Sequence, residues 1–215
     1  MEHLREKTAI VLGASSAYGA AAARILSKEG AAIALGGRSR DELEALEKEI
    51  QDSGGRALSL GVHLAKRHHF DHLVEAAVEA YGGLDYLLFM ARASAPPIGS
   101  LDLDAFDGSV DVNVKGFLYT LTAALPAMVE KGGGSVVYLA SEEPEGADPL
   151  YRAGRAAARE LLEGIQREFA SEGIRACEVR LCQPMPEPEQ CGRAVRQVLL
   201  DAHPGPSEVA VREVR

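Results

Sequence analysis

Strand-like runs and helix-spaced apolar patterns take turns along the whole chain, and no other feature narrows its fold as much. Short aliphatic or β-branched runs lie at 8–12, 31–35, 57–60, 86–89, 135–139, 174–179 and 208–212. Between them the apolar spacing becomes helical. Ser39-Arg40-Asp41-Glu42 reads as a capping box, after which Leu43, Leu46 and Ile50 share a face. Phe70, Leu73, Val74, Ala77, Val78 and Tyr81 line another, and a long helix puts Phe106, Val110, Val114, Phe117, Leu121 and Leu125 inward, with Pro126 kinking its last part. Such βαβ alternation implies a mostly parallel sheet of about seven strands covered by helices on both faces. The fold class is therefore α/β. With no repeat, linker or low-complexity tract, residues 1–215 read as a single doubly wound domain.

The first strand runs into Gly13-Ala14-Ser15-Ser16-Ala17-Tyr18-Gly19, followed by a helix over 20–28 that Gly30 ends. A strand, a glycine turn and a helix N-terminus build an anion site, because the first N–H groups and the positive end of the helix dipole face the same point. Gly13 permits the tight turn, Gly19 lets helix and strand approach, and Ser15 and Ser16 offer hydroxyls to phosphate oxygens. An ordinary βα turn would show the same glycines. Tyr18 lies beside these positions as a rim or packing aromatic. The second strand leads into Arg38-Ser39-Arg40, with no acid before Asp41. An acid there would hold a ribose 2′-hydroxyl, whereas arginine accommodates a 2′-phosphate, so NADP(H) is expected in preference to NAD(H).

Charge and composition exclude other classes. Lys and Arg number 23 against 32 Asp and Glu, a formal net charge of −9, which lacks the basic footprint of a nucleic-acid binder. The uninterrupted apolar runs fall far short of the roughly 20 residues that span a bilayer, so no membrane segment is expected. The charged start, Met1 to Lys7, does not resemble a secretory leader, and Cys177, Cys182 and Cys191 read as reduced structural thiols, so a cytoplasmic location is expected. His68 and His72 are spaced for one helix face, but the apolar stripe puts that face in solvent and no complete ligand set stands nearby; no metal is expected.

At this point the chain resembles the short-chain dehydrogenase/reductase family over nearly its whole length, as a shortened and divergent member with a Rossmann-type fold. Gly13 and Gly19 match the first and last glycines of that family's T-G-x-x-x-G-x-G turn, while Ala17 replaces the middle one and Leu12 the threonine. Asp111-Val112-Asn113-Val114-Lys115-Gly116 resembles the N-V-x-G helix segment, residues 135–141 the fifth strand ending in serine, and Tyr151-Arg152-Ala153-Gly154-Arg155-Ala156-Ala157 the Y-x-A-S-K-A-A motif. The resemblance implies hydride transfer between a nicotinamide and a small carbonyl or alcohol. Tyr151 would be the acid/base, Ser141 would hold the substrate oxygen, Asn113 would support them, and Arg155 would stand at the lysine position. It also implies a homodimer or homotetramer formed through the two long helices.

The departures bear on turnover. The adenine-facing Asp-Val reads His63-Leu64, and the cofactor-facing N-N-A-G reads Phe89-Met90-Ala91-Arg92, so His63, Leu64, Met90, Ala91 and Arg92 are expected along the cofactor. Arg92 would either block the nicotinamide side or pair with the pyrophosphate. The long loop that usually follows the sixth strand is reduced to a few residues before a helix over 189–200. A free phenol titrates near ~10 and needs a neighbouring cation at neutral pH. Arg155 can supply the field but no relayed proton. Glu142, Glu143, Glu145 and Asp148 would oppose that field and disfavour an anionic substrate, unless they form a solvated loop. Two readings stay open: an NADP(H)-dependent oxidoreductase, or a catalytically degenerate relative serving as a nucleotide-binding or interaction module.

Overall fold

The computed structural model describes residues 4–142, 148–201 and 207–211. Its seven strands are β1 (Thr8–Leu12), β2 (Ala32–Gly37), β3 (Arg56–Gly61), β4 (Tyr86–Phe89), β5 (Gly134–Ser141), β6 (Ile174–Leu181) and β7 (Ser207–Val211). The helices are α1 (Ala17–Lys28), α2 (Arg40–Asp52), α3 (Arg67–Tyr81), α4 (Leu103–Val110), α5 (Phe117–Lys131), α6 (Pro149–Phe169) and α7 (Pro188–Leu200). All strands lie in one sheet in the order β3-β2-β1-β4-β5-β6-β7, and every neighbouring pair is parallel. The expected α/β architecture is present, with the strands extended by a residue or two at several ends. Residues 143–147 and Arg212, part of the expected acidic segment and last strand, lie outside the described residues.

Side chains alternate across the strands, so β1 alone supplies both cores. Ala9 and Val11 join α1, α2 and α7 through Leu26, Leu43, Leu46, Val195 and Leu199, while Ile10 and Leu12 face α3, α5 and α6 through Phe70, Leu73, Phe117, Leu121, Leu162 and Ile165. The strand order reverses between β1 and β4, and a crevice opens at the carboxyl ends of strands where their order switches.

Two local expectations change. The long helix is not one α-helix: α4 and α5 are joined by a π-helical stretch, Asp111–Gly116. The wider π turn slips the side-chain phase, so Phe117, Leu121 and Leu125 are buried while Phe106 is 40% exposed and Val110 and Val114 are only partly covered. The capping box at Ser39 does not form; Ser39 is the N-cap of α2 but its hydroxyl makes no cap bond. By length and composition alone Leu103–Lys131 could cross a membrane, with mean hydropathy 1.2. Its apolar residues are interspersed, which conceals it from a search for unbroken runs. Here 44% of its apolar window is buried, chiefly where α5 packs on the sheet.

Candidate active site

At the end of β1, Gly13 takes φ +86°, a left-handed conformation that favours glycine. A Cβ there would lie 2.7 Å from the Met90 carbonyl carbon, and one on Gly19 would lie 2.2 Å from the Gly13 oxygen. Both glycines thus let strand, turn and helix close on one another. Ser16 is the N-cap of α1: its Oγ accepts from Gly19 N (3.0 Å) and donates to Gly13 O (2.8 Å). Beside this turn lies a crevice of about 120 Å³ lined by Gly13, Ser15, Ser16, Gly37 and Arg38 on one side and Leu64, Met90, Ala91 and Arg92 on the other. Gly37 keeps it open, since a Cβ there would stand 2.9 Å from Ser15 Oγ. Expected cofactor residues from four separate loops therefore line one crevice.

Three expected residues sit elsewhere. Tyr18 turns its hydroxyl to donate to Pro186 O (3.0 Å), tying α1 to the connection between β6 and α7. His63 is exposed, and its backbone N–H donates to His69 Nδ1 (2.9 Å). Desolvation holds the His69 imidazole below its usual value, with the charges of His68, Lys66, His63 and His72 acting in the same direction. Ser39 begins α2 next to Arg38, whereas Arg40 pairs with Glu44 (3.2 Å) on the solvent side.

Ser141 closes β5 and Tyr151 stands in the first turn of α6. The sequence brings them together by means of Asp148 and Pro149. Pro149 opens the helix, and Asp148 caps it by accepting from Tyr151 N (2.9 Å). Asp148 has φ +41° and is buried, and its other oxygen accepts from Ala95 N (3.1 Å), so one carboxylate fixes both the helix start and the loop after β4. The Tyr151 hydroxyl accepts from Ser141 N–H (2.8 Å) and meets Ser141 Oγ at 3.3 Å. Asn113, in the π-helical stretch, does not reach this pair. Its amide donates to Ala93 O (2.8 Å) and Ser109 Oγ (2.9 Å), and its oxygen accepts from Ala93 N (2.9 Å).

The cations are arranged differently from the expectation. Arg155 Nε donates to Glu178 Oε1 (2.5 Å) and Arg159 Nε donates to Glu178 Oε2 (2.6 Å). The carboxylate offsets much of the Arg155 field. The guanidinium in contact with Tyr151 is that of Arg92. It lies 4.4 Å from the ring centroid, donates through Nη1 to Ser141 Oγ (2.7 Å) and through Nη2 to Ser94 Oγ (3.0 Å), and stands 3.9 Å from Asp148. Beneath them burial pushes the Tyr138 phenol well up, with Arg155 and Arg92 pulling it back. Of the four acids expected to crowd Tyr151, Asp148 is committed to backbone N–H groups and Glu142 pairs with Arg180 (3.5 Å), while Glu143 and Glu145 lie outside the described residues.

Residue spacing does not single out Glu178, and it offers Asp148 only as an acid near Tyr151, not as the N-cap that positions it. Both left a signal: Asp148-Pro149 is an N-cap followed by proline at N1, and Glu178 is the one acid in its strand run, with two arginines spaced i, i+4 in the preceding helix.

Comparison with known proteins agrees with this architecture. The model of the short chain dehydrogenase family matches residues 7–184. An uncharacterised oxidoreductase of Staphylococcus aureus (strain MRSA252) is 32% identical over 183 residues, covering 83% of this chain and 78% of that protein. Among solved structures, a metagenomic short-chain oxidoreductase in complex with NADP superimposes with a TM-score of 0.91 at 27% identity, covering 99% of this chain and 100% of the other. An NAD⁺-bound xylitol dehydrogenase gives a TM-score of 0.78 at 26% identity, covering 83% of this chain and 71% of the other. The β1–Gly13–α1 crevice and the Ser141–Tyr151 pair thus stand in a chain that belongs to the short-chain dehydrogenase family of oxidoreductases.

Proposed function

We propose that this protein is an NADP(H)-dependent oxidoreductase that interconverts a small carbonyl compound and its alcohol. The observation that carries the reading is the direct contact of Tyr151 with Ser141 at the carboxyl edge of the sheet, on the same side as the Gly13 crevice. The residues present fit a dinucleotide: a Cβ on Gly37 would crowd Ser15 in the cradle, and Arg38, which lines it, would hold a 2′-phosphate. The nicotinamide, when bound, supplies or accepts the hydride. Ser141 Oγ orients the carbonyl oxygen, and Tyr151 Oη holds and moves the proton. Asn113 acts at one remove, gripping both backbone groups of Ala93 so that the β4 loop keeps its course past the crevice. Arg155 is a positioning residue here, locking α6 to β6 through Glu178. The solved relatives carry NADP in one case and NAD⁺ in the other, and Arg38 favours the former for this chain.

The test is direct because the chain has no Trp, so NADPH fluorescence is free of indole emission. Saturable NADPH binding at tens of micromolar or tighter is expected. Arg38→Ala should weaken NADPH about 10-fold while changing NADH little, as loss of one charge-assisted contact would. No saturable binding of either dinucleotide would overturn the reading. One observation favours a second reading, a relative without turnover: the Arg155 guanidinium is held by Glu178. Binding without reduction of any carbonyl, with activity gained in Arg155→Lys, would support it.

A further inference from the structure

We propose that His69 is a positioning residue of this site: its neutral imidazole clasps the β3–α3 connection beside the dinucleotide crevice, and an imidazolium there lets go. The clasp is independent of the reading above, whereas its effect on cofactor binding rests on it. Leu64, buried in the middle of this connection, lines the crevice together with Gly13, Ser15 and Arg38. Three hydrogen bonds set the course of the chain around it. Val62 N–H donates to Gly37 O (2.7 Å), Lys66 N–H donates to His63 O (2.9 Å), and His63 N–H donates to His69 Nδ1 (2.9 Å). The first two are backbone ties that no proton alters. The third depends on a lone pair that acid removes.

A ring nitrogen that accepts a hydrogen bond carries no proton, so the neutral His69 ring bears its proton on Nε2. Protonation sets a second donor at Nδ1, facing the His63 N–H across 2.9 Å. Two donors cannot share that line. The ring or the Val62–His63 peptide then turns away, and Leu64, the next residue, loses its fixed place on the crevice.

The surroundings favour the neutral ring. Desolvation holds the His69 imidazole below its usual value, and the charges of His68, Lys66, His63 and His72 act in the same direction. His69 is the third residue of α3, a helix with no acid in its first turn and no side-chain cap bond from Lys66. An imidazolium there would also oppose the positive end of the helix dipole. Arg67 opens the helix and Arg38 stands on the crevice, both further cations. Asp71, two residues on, lies about 200° around α3. The π-helical stretch meets Leu64 at Gly116, and its Asp111 and Lys115 pair with each other (2.8 Å). The clasp is thus complete above the ordinary imidazole value of 6.5 and is lost as pH falls through the lowered native one.

The His63 amide reports the clasp with no ligand present. In ¹H–¹⁵N spectra of the full chain it should show a transition with a midpoint below 6.5 that is missing in His69→Asn. The asparagine oxygen accepts in place of Nδ1 and does not titrate, and the His63 ring titrates in both proteins. An amide that titrates alike in both overturns the proposal. Cofactor binding is the second readout, with NADP⁺ as the probe because it survives acid. Its phosphates and the imidazoles of His63, His68 and His72 titrate alike in both proteins, so the ratio of Kd values isolates His69. From about pH 8 to about pH 5, the wild-type Kd should rise about 3- to 10-fold relative to that of His69→Asn, as loss of one neutral hydrogen bond would cause. His69→Ala should weaken binding by a similar factor already at about pH 8, where His69→Asn binds like the wild type. A constant ratio overturns the proposal. No saturable NADP⁺ binding in either protein overturns the dinucleotide reading and the role of His69 in cofactor binding, while the His63 amide still decides the clasp.

Discussion

Glu178 shows how much of this site depends on a single buried carboxylate. It joins two arginines of α6 to β6, and removing its charge would leave two guanidiniums facing each other over the sheet. Glu178→Gln should lower the urea unfolding free energy by about 2 kcal/mol, the scale of lost charged hydrogen bonds and below the roughly 3–5 kcal/mol of a fully buried broken pair, because Arg159 is half in solvent. An unchanged midpoint would show that the pair contributes nothing to stability. The same residue marks where reading by spacing stops. Tyr151, Ser141 and Gly13 can be picked out because motif positions and turn glycines are local in the chain. The partner of Arg155 is not local: β6 lies beyond α6, and only strand register puts Glu178 beside Tyr138 and under that helix. Arg92 is visible in the sequence as an intruder at a glycine position, but the direction of its side chain is set by Asp148 and Tyr151, residues far along the chain.

Among the elements, the π-helical stretch between α4 and α5 is the one that periodicity could not supply. An apolar stripe reads the same on either side of a π turn, and only burial reveals the phase slip that exposes Phe106. The slip has a packing counterpart. It sets Asn113 against Gly154 of α6, where a Cβ would come within 2.6 Å of the Asn113 Cβ. Gly154→Ala should therefore destabilise the fold by about 1–2 kcal/mol, overpacking outweighing the gain in helix propensity. It should also slow hydrogen exchange less effectively at Ala93, whose N–H is held by Asn113. A more stable variant would mean that α6 shifts aside at no cost. Helix capping follows the same division. The Asp148-Pro149 start of α6 obeys a local rule and is legible, whereas the capping pattern at Ser39 is present in letters and unused in the fold.

For the whole molecule, the alternation of runs was sufficient to specify a parallel sheet with two helical layers, because parallel strands need crossovers and both faces must then be covered. Strand order and the crevice at its reversal follow from tertiary pairing and are not written in any one segment. The buried interior also sets the alkaline limit of the fold. Desolvation pushes the Cys177 and Cys191 thiols up to about 12, and burial likewise raises Tyr81, Tyr86 and Tyr138. These groups keep their protons in the native state at pH values where the unfolded chain loses them. Stability should therefore fall as pH rises from the ordinary thiol value near 9 toward 12, by about 1.4 kcal/mol per pH unit for each thiol. Urea midpoints measured from pH 8 to 10.5 would check the sign, and a rising midpoint would contradict it. Native Cys177 and Cys191 should also resist iodoacetamide at pH 8 and react in urea. Finally, the brief passage from Cys182 to Glu187, moored by the Tyr18 hydroxyl at Pro186, has too little chain to swing across the catalytic edge. That connection therefore stays anchored to α1 and contributes no sweeping cover over the Ser141–Tyr151 edge.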